Sequence, residues 1–343
     1  MKSKIEIDHN SQIPVYKQLI QSIQNLVDTE EYKEGDFLPS MNELSTELEI
    51  SKETVKKAYS ILRDKEIIES AHGKGFYVAK KENVKLKMLL LFDKISTYKQ
   101  VLYSSFASNI GDKAEITIRL HNQDITLFEH FIEENLDKYD YFIITPHFPL
   151  QADIQKKAIN ILRRSPNRKL ILLDRLMDTL PGNYGCVYQD FENDIIDGLS
   201  QGLDVLKKFK KLNILSTPGS LYAPLIEKGI KKFCTDNQIK FEIHKTISAD
   251  KIQKQDAFLI LNNQLDSELI DLVKIARMKE CKIGEDIGII SYNESPINEI
   301  VLDGLTVFST NFKQMGELAA KMIIDKSFKK IRCDFRLIRR NTF

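Results

Sequence analysis

From about residue 87 to the C-terminus, short apolar runs alternate with longer amphipathic segments, and this alternation constrains the fold more than any other feature. The runs KMLLLF, EITIRL, YFIIT, KLILLD, KLNILS, KFEIHK, AFLIL, IGIIS and RCDFRLIRR read as strands. Between them stand LFEHFIEENLDKY, ADIQKKAINILRR, NDIIDGLSQGLDVLKKF, PLIEKGIKKFCTDN, LDSELIDLVKIARMK and NFKQMGELAAKMIID, whose apolar residues recur at helical spacing. Strands alternating with such helices build βαβ units around a mostly parallel sheet. The length of this stretch fits two α/β lobes better than one. The lobes are expected at about 87–183 with 306–328, and at about 184–305 with 329–343. No internal repeat interrupts the pattern.

Residues 1–79 have a different texture. Tyr16, Leu19, Ile20, Ile23, Leu26 and Val27 repeat at helical spacing behind Pro14, which a helix start tolerates. Ser40-Met-Asn-Glu43 reads as a capping box opening a second helix with Leu44 and Leu48 inward. Ser51 is a good N-cap for a third helix running to about Asp64. There Val55, Ala58, Tyr59 and Leu62 form the buried stripe, and IIESAHGKGFYVA signals a hairpin. Three helices and a hairpin, with a sharp LEIS turn between the second and third helices, make a winged helix-turn-helix. The charged segment 80–86, KKENVKL, is the expected linker.

Lys52, Lys56, Ser60 and Arg63 fall in one stripe beside the buried one, with Lys57 at its flank. A lysine in the first helical turn opposes the helix dipole, at about 0.3–1 kcal/mol in low salt. Glu53 offsets part of that. The arrangement makes sense if phosphates lie opposite, since each neutralised phosphate releases counterions. His72 and Lys74 on the hairpin turn add donors, and Gly73 and Gly75 permit close approach. Total charge does not carry this reading, because residues 1–80 hold 11 Lys/Arg against 14 Asp/Glu. Positive charge dominates only over 52–81, by 8 to 4.

Composition bounds the rest. Net charge is +1, so a charged partner must be recognised by local patches. Nothing approaches the roughly 18 apolar residues of a membrane span, and the N-terminus lacks the apolar core of a signal peptide. Cys186, Cys234, Cys281 and Cys333 are widely spaced with no CxxC, which argues against a zinc ribbon or disulfide framework. A cytoplasmic protein with no membrane partner, no metal and no cofactor is expected. There is no GxGxxG, Walker A, HExxH or GxSxG motif. The histidines at 9, 72, 121, 130, 147 and 244 show no metal-ligand spacing, so no catalytic residue is assigned.

Residues 13–78 closely resemble the DNA-binding domain of the GntR family of bacterial transcription regulators. The resemblance runs through PVYKQL, GDFLPSMNELS, ISKETVKKAYSILRDKEII and HGKGFYV, in order and at family spacing. It implies a recognition helix at about 51–63 for the major groove and a wing at 71–76. Family contact positions fall on Asn42, Lys52, Lys56, His72 and Gly73. With the neighbouring Ser51, Thr54, Lys57 and Lys74 these form the expected DNA-binding set. The family often has arginine at 42, 52 and 56; lysine lacks the bidentate fork for guanine, so phosphate contact should outweigh base readout.

Residues 87–343 resemble the two-lobed, periplasmic-binding-protein-like effector domain of LacI-type regulators. The landmarks are LLLDR, VYQDFENDIIDGL, LILNNQLDSELIDL, DIGIISYNES and LTVFSTNFKQMGELAAKMI. The resemblance implies a ligand between the lobes at the carboxyl ends of the strands. Asp174, Arg175, Gln189, Asp190, Asn262, Asn263 and Asn293 then fall at the cleft. Asp93, directly after an apolar run, follows the same logic. Tyr98, Tyr103, Tyr188, Tyr222 and Tyr292 are expected to lie against an apolar sugar face. Ile226 stands where the family often has arginine ahead of Gly229, and Asn293 where it has aspartate.

The expected function is a sequence-specific regulator, a homodimer on double-stranded operator DNA, whose affinity is set by a sugar or sugar derivative. Two rivals stay open. Turnover of a bound sugar would favour a carbohydrate-processing enzyme, and a flat ligand screen would favour an effector-independent DNA-binding scaffold.

Overall fold

The computed structural model describes residues 4–9, 11, 13–79, 85–216, 220–261 and 267–343. The chain divides into two compact units, 1–84 and 85–343. Most of the expected linker, 80–84, lies outside the described residues, and Leu86 already begins a strand.

The first unit comprises α1 (Val15–Asp28), α2 (Met41–Glu47), α3 (Lys52–Asp64), β1 (Ile68–Ala71) and β2 (Gly75–Val78). The capping box at α2 is present: Ser40 Oγ accepts from the Glu43 amide at 3.2 Å, and the Ser40 amide donates to Glu43 Oε2 at 2.8 Å. At α3, Ser51 Oγ accepts from the Thr54 amide at 3.1 Å. Val55, Ala58, Tyr59 and Leu62 are buried against Leu19, Ile20 and Ile23 of α1 and Leu44 of α2. The Tyr59 hydroxyl donates to the Pro39 carbonyl at 2.7 Å, which ties α3 to the start of α2. β1 and β2 pair antiparallel, Ile68 opposite Val78, and Phe37 adds a bridge to Tyr77. Gly73 turns the hairpin with φ +73°, a conformation that strains any side chain but is open to glycine. Ser51→Ala is expected to cost about 1 kcal/mol in urea unfolding, because it orphans a helix N-terminal amide.

The second unit holds β3 (Leu86–Phe92), α4 (Thr97–Ile110), β4 (Ala114–Leu120), α5 (Ile125–Glu133), β5 (Tyr141–Ile144), α6 (Ala152–Leu162), β6 (Leu170–Arg175) and β7 (Gly185–Gln189). It continues through α7 (Phe191–Gln201), α8 (Leu203–Leu206), β8 (Lys211–Leu215), α9 (Ala223–Asp236), β9 (Phe241–His244), β10 (Asp256–Ile260), α10 (Ser267–Met278) and β11 (Gly288–Tyr292). The last elements are β12 (Thr306–Thr310), α11 (Phe312–Ile324), β13 (Lys330–Arg332) and β14 (Phe335–Ile338).

Two six-stranded sheets result, ordered β13-β7-β6-β5-β3-β4 and β14-β12-β11-β10-β8-β9. Every pairing is parallel except β12 with β14. Helices cover both faces, so the strands are apolar on both sides. In the first sheet Met88, Leu90 and Leu173 join Leu102 and Phe106 of α4 and Met315 and Ala319 of α11 in one cluster. Leu89, Leu91 and Leu172 join Phe128 of α5 and Ile161 of α6 in another. α11 crosses α4 closely at Gly316, where a Cβ would stand 2.4 Å from the Leu102 carbonyl oxygen.

The chain passes between the sheets three times, after β7, after β12 and after β13. The boundaries expected near 183, 305 and 328 therefore each fall one strand early. β7 belongs to the first sheet and β12 to the second; neither GCVYQ nor TVFST is an apolar run long enough to announce itself. The single strand expected at RCDFRLIRR is two, broken at Cys333-Asp334, with β13 in the first sheet and β14 in the second.

Candidate functional site

On the first unit, Asn42, Ser51, Lys52, Lys56, Lys57, His72, Gly73 and Lys74 are exposed, and Thr54 is half-buried. Ser51 and Thr54 spend their hydroxyls on the helix cap, sharing a 2.8 Å bond. Lys57 folds back, its Nζ 4.0 Å from the ring centre of Tyr16 on α1. Lys56 approaches Glu53 at 3.7 Å, with both side chains largely in water, a pairing worth little. Lys52 and Lys56 are thus the α3 cations best placed for an external anion.

In the second unit, the carboxyl ends of β3, β6 and β7 converge on a buried polar cluster. Asp93 follows β3, and its Oδ1 takes the Lys99 ammonium, with the Thr145 hydroxyl at 3.3 Å and His147 Nδ1 at 3.5 Å. Asp174 closes β6. Its Oδ2 accepts from the Tyr98 hydroxyl at 3.1 Å and lies 3.0 Å from His147 Nε2, while Oδ1 takes the Gln189 amide. Asp93 and Lys99 are each 1 % exposed, and Asp174 is fully buried. Burial pushes both carboxyls up, but His147 and Lys99 beside them outweigh it, and both sit below the ordinary carboxylate value. Gln189 also accepts from the Thr310 hydroxyl at 2.6 Å. Thr310 ends β12, so the chain Asp174–Gln189–Thr310 joins one lobe to the other.

From the second lobe, Tyr222 stacks on Phe191 with ring centres 4.4 Å apart and meets the His147 ring edge-on at 5.1 Å. The Arg175 guanidinium lies 5.5 Å from the Tyr222 ring. Arg175 Nη1 and the hydroxyls of Tyr222 and Tyr292 are buried with no hydrogen-bond partner among the described residues. Buried polar atoms are seldom left this way. Burial raises both tyrosine hydroxyls well above their ordinary value, so both remain protonated donors.

The cluster thus gathers Asp93, Tyr98, Asp174, Arg175, Gln189 and Tyr222. Other expected cleft residues have different contacts. Asp190 caps α7, accepting from the Asn193 amide at 3.2 Å and its side chain at 2.7 Å. Tyr103 packs half-buried against the α4–α11 cluster and Tyr188 against the α5–α6 cluster. Asn293 shapes a turn at φ +67°, its amide donating to the Phe308 carbonyl at 2.7 Å. Asn262 and Asn263 lie outside the described residues. Lys99, expected only as positive charge for a phosphorylated ligand, and His147, which follows a strand-like run, also join this cluster, and Thr310 is added by the structure. A lysine on the same helix face as Leu102 and Phe106, at i+3 and i+7, was the available signal. His121 is a core residue: burial among Phe128 and Phe148 pushes its imidazole down to about 4.

A second inter-lobe contact lies at the crossings. Arg332 on β13 donates from Nε to Asp194 Oδ1 at 2.7 Å and from Nη2 to Asp197 Oδ2 at 2.6 Å. Both aspartates belong to α7, which packs on the second lobe through Ile195 and Leu199. Burial pushes the Asp194 carboxyl up to about 6, the Arg332 cation opposing it.

Comparison with known proteins settles the domain types. Residues 15–78 match the family described as bacterial regulatory proteins, gntR family. The N-terminal unit is a GntR-family domain. Residues 218–332 match the periplasmic binding protein-like domain, so the GntR-family domain is followed by a periplasmic-binding-protein-like α/β unit. The HTH-type transcriptional repressor YtrA of Bacillus subtilis (strain 168) is 40% identical over 85 residues, 25% of this chain and 64% of the relative. The chain spans less than two thirds of that relative. Among solved structures, a dimeric Lac repressor with an 11-residue C-terminal deletion superposes with TM-score 0.59 at 17% identity, covering 75% of this chain and 98% of the other. A periplasmic binding protein/LacI transcriptional regulator from Alkaliphilus metalliredigens QYMF, complexed with D-xylulofuranose, gives 0.56 at 14%, covering 75% and 99%. These likenesses establish the fold of the second unit. No helix among the described residues is long and apolar enough to cross a membrane.

Proposed function

We propose that this chain is a cytoplasmic DNA-binding transcription regulator whose operator affinity responds to a sugar or sugar derivative held between the two lobes. The observation that carries the effector half is the buried polar cluster where the two lobes meet. Among the described residues, two buried tyrosine hydroxyls and a guanidinium N–H lack partners beside a polar chain that already ties the lobes together. Such donors suit hydroxyl and ring oxygens, and the Tyr222–Phe191 stack offers a flat apolar surface for a sugar face. The xylulofuranose complex of a structural neighbour favours the same class.

The DNA half rests on the GntR-family domain and on the exposed α3 lysines. A homodimer reading a two-fold operator is the arrangement that the dimeric Lac repressor likeness supports. An effector that prefers one cleft geometry shifts DNA affinity only through its differential affinity for the two states. Lys52→Ala and Lys56→Ala are each expected to weaken operator binding and to reduce the salt slope by about one. Fluorescence anisotropy between low and high salt reads this. Wild-type slope in both variants would remove α3 as the DNA-facing element. A melting screen against pentoses and hexoses tests the effector, with at least one sugar expected to raise Tm.

A further inference from the structure

We infer that Lys99 sets the charge class of the effector: it fills, from within the chain, an ammonium site on the first-lobe wall of the cleft, so that uncharged ligands are selected over sugar phosphates and amino sugars. This rests on, and deepens, the sugar reading above.

A lysine with 1 % of its side chain exposed loses nearly all its hydration, and is tolerated only where a carboxylate takes the ammonium. Asp93 does so. The second carboxylate, Asp174, is held by Tyr98, Gln189 and His147. Both acids are therefore engaged by the chain's own groups, and both remain ionised despite burial. An ammonium on a ligand would have to displace Lys99 from Asp93. A phosphate would meet two fixed carboxylates with the Arg175 guanidinium and the His147 ring beside them, since Lys99 is taken by Asp93 and Lys94 is exposed to solvent. Lys228 is paired with Glu192 at 2.7 Å and largely exposed. With Asp93 and Asp174 set against Lys99 and Arg175, the fixed charges balance. Among the described residues, the atoms at this cluster without a hydrogen-bond partner include the Tyr222 and Tyr292 hydroxyls, one Arg175 N–H and His147 Nε2. A balanced wall with spare hydroxyl donors selects for hydroxyls.

The test uses the full chain, wild type and Lys99→Ala, in a melting assay with three kinds of probe: pentoses and hexoses, their phosphates, and their 2-amino analogues. Propylammonium chloride is compared with sodium chloride at equal concentration. Wild type is expected to respond to an uncharged sugar at least tenfold more tightly than to its phosphate or amino analogue. Lys99→Ala is expected to melt lower, to regain Tm with propylammonium by several degrees more than wild type does, and to accept the amino analogue. The Lys99→Ala/Asp93→Asn variant, which removes both charges, is expected to show no such regain.

If no sugar moves the wild-type Tm, the sugar reading fails, while the propylammonium result still decides whether Lys99 occupies an ammonium site. Three outcomes overturn the inference. They are a wild-type preference for the phosphate or amino analogue, equal propylammonium effects on wild type and Lys99→Ala, and a Lys99→Ala chain that stays unfolded with or without the amine.

Discussion

Replacing Lys99 by methionine is expected to destabilise the 85–343 unit by about 3–5 kcal/mol, the range for removing one partner of a buried ion pair. Methionine keeps most of the stem volume, so the loss reports charge rather than packing. Asp93 would keep only the Thr145 hydroxyl and the His147 ring beside its Oδ1. An unpaired buried carboxyl has a raised folded pKa, so it binds protons more readily folded than unfolded. Stability of the variant should then fall as pH rises, and its deficit should shrink toward pH 5. Urea unfolding at pH 5, 6.5 and 8 measures this. A pH-independent deficit below 1 kcal/mol would show that the pair contributes little.

Arg332→Met is the second large effect, expected at about 2 kcal/mol at pH 8, below the fully buried range because Arg332 is partly exposed. It strips Asp194, which is buried, of its cation at the crossing between the lobes. The sign follows from Asp194. Its folded value of about 6 lies above the ordinary 3.8, so wild-type stability falls on this group's account as pH rises between those values. Without Arg332 the folded value climbs further. The cost of the substitution should therefore be greatest at alkaline pH and fade as Asp194 protonates. Because Arg332 joins β13 of the first sheet to α7 of the second lobe, the same variant should widen the lobe separation. Small-angle scattering of the full chain reads that change. An unchanged profile together with a flat pH dependence would reduce the contact to a surface ion pair.

Much of the first unit was legible because its signals are local. The capping box at Ser40 and Glu43, the Ser51 cap and the stripe Val55, Ala58, Tyr59, Leu62 each depend on residues within two helical turns. The parallel sheets were legible as apolar runs for the same reason. Sheet membership was not, because an apolar run does not state which strand it pairs with, and β7, β12 and β13 all sit at crossings. Helix α4 escaped notice because Lys99 and Ser105 lie on its buried side. That is also why the cluster was only half seen. Asp93 and Asp174 stand out as polar residues at strand ends, but a lysine on a helix is normally read as solvent-facing. Only tertiary packing reveals that this one is buried. Asp190 illustrates the reverse case, a strand-end acid whose geometry serves a helix cap.

The central claim is that the cleft and the DNA-facing helix are thermodynamically coupled. Operator duplexes can be selected from a random pool with the full chain, and the operator Kd measured with and without an uncharged sugar that raises Tm. The account predicts that the sugar changes operator Kd, and that operator DNA changes the sugar's Kd by the same factor. A sugar that binds the cleft yet leaves operator Kd unchanged would contradict it.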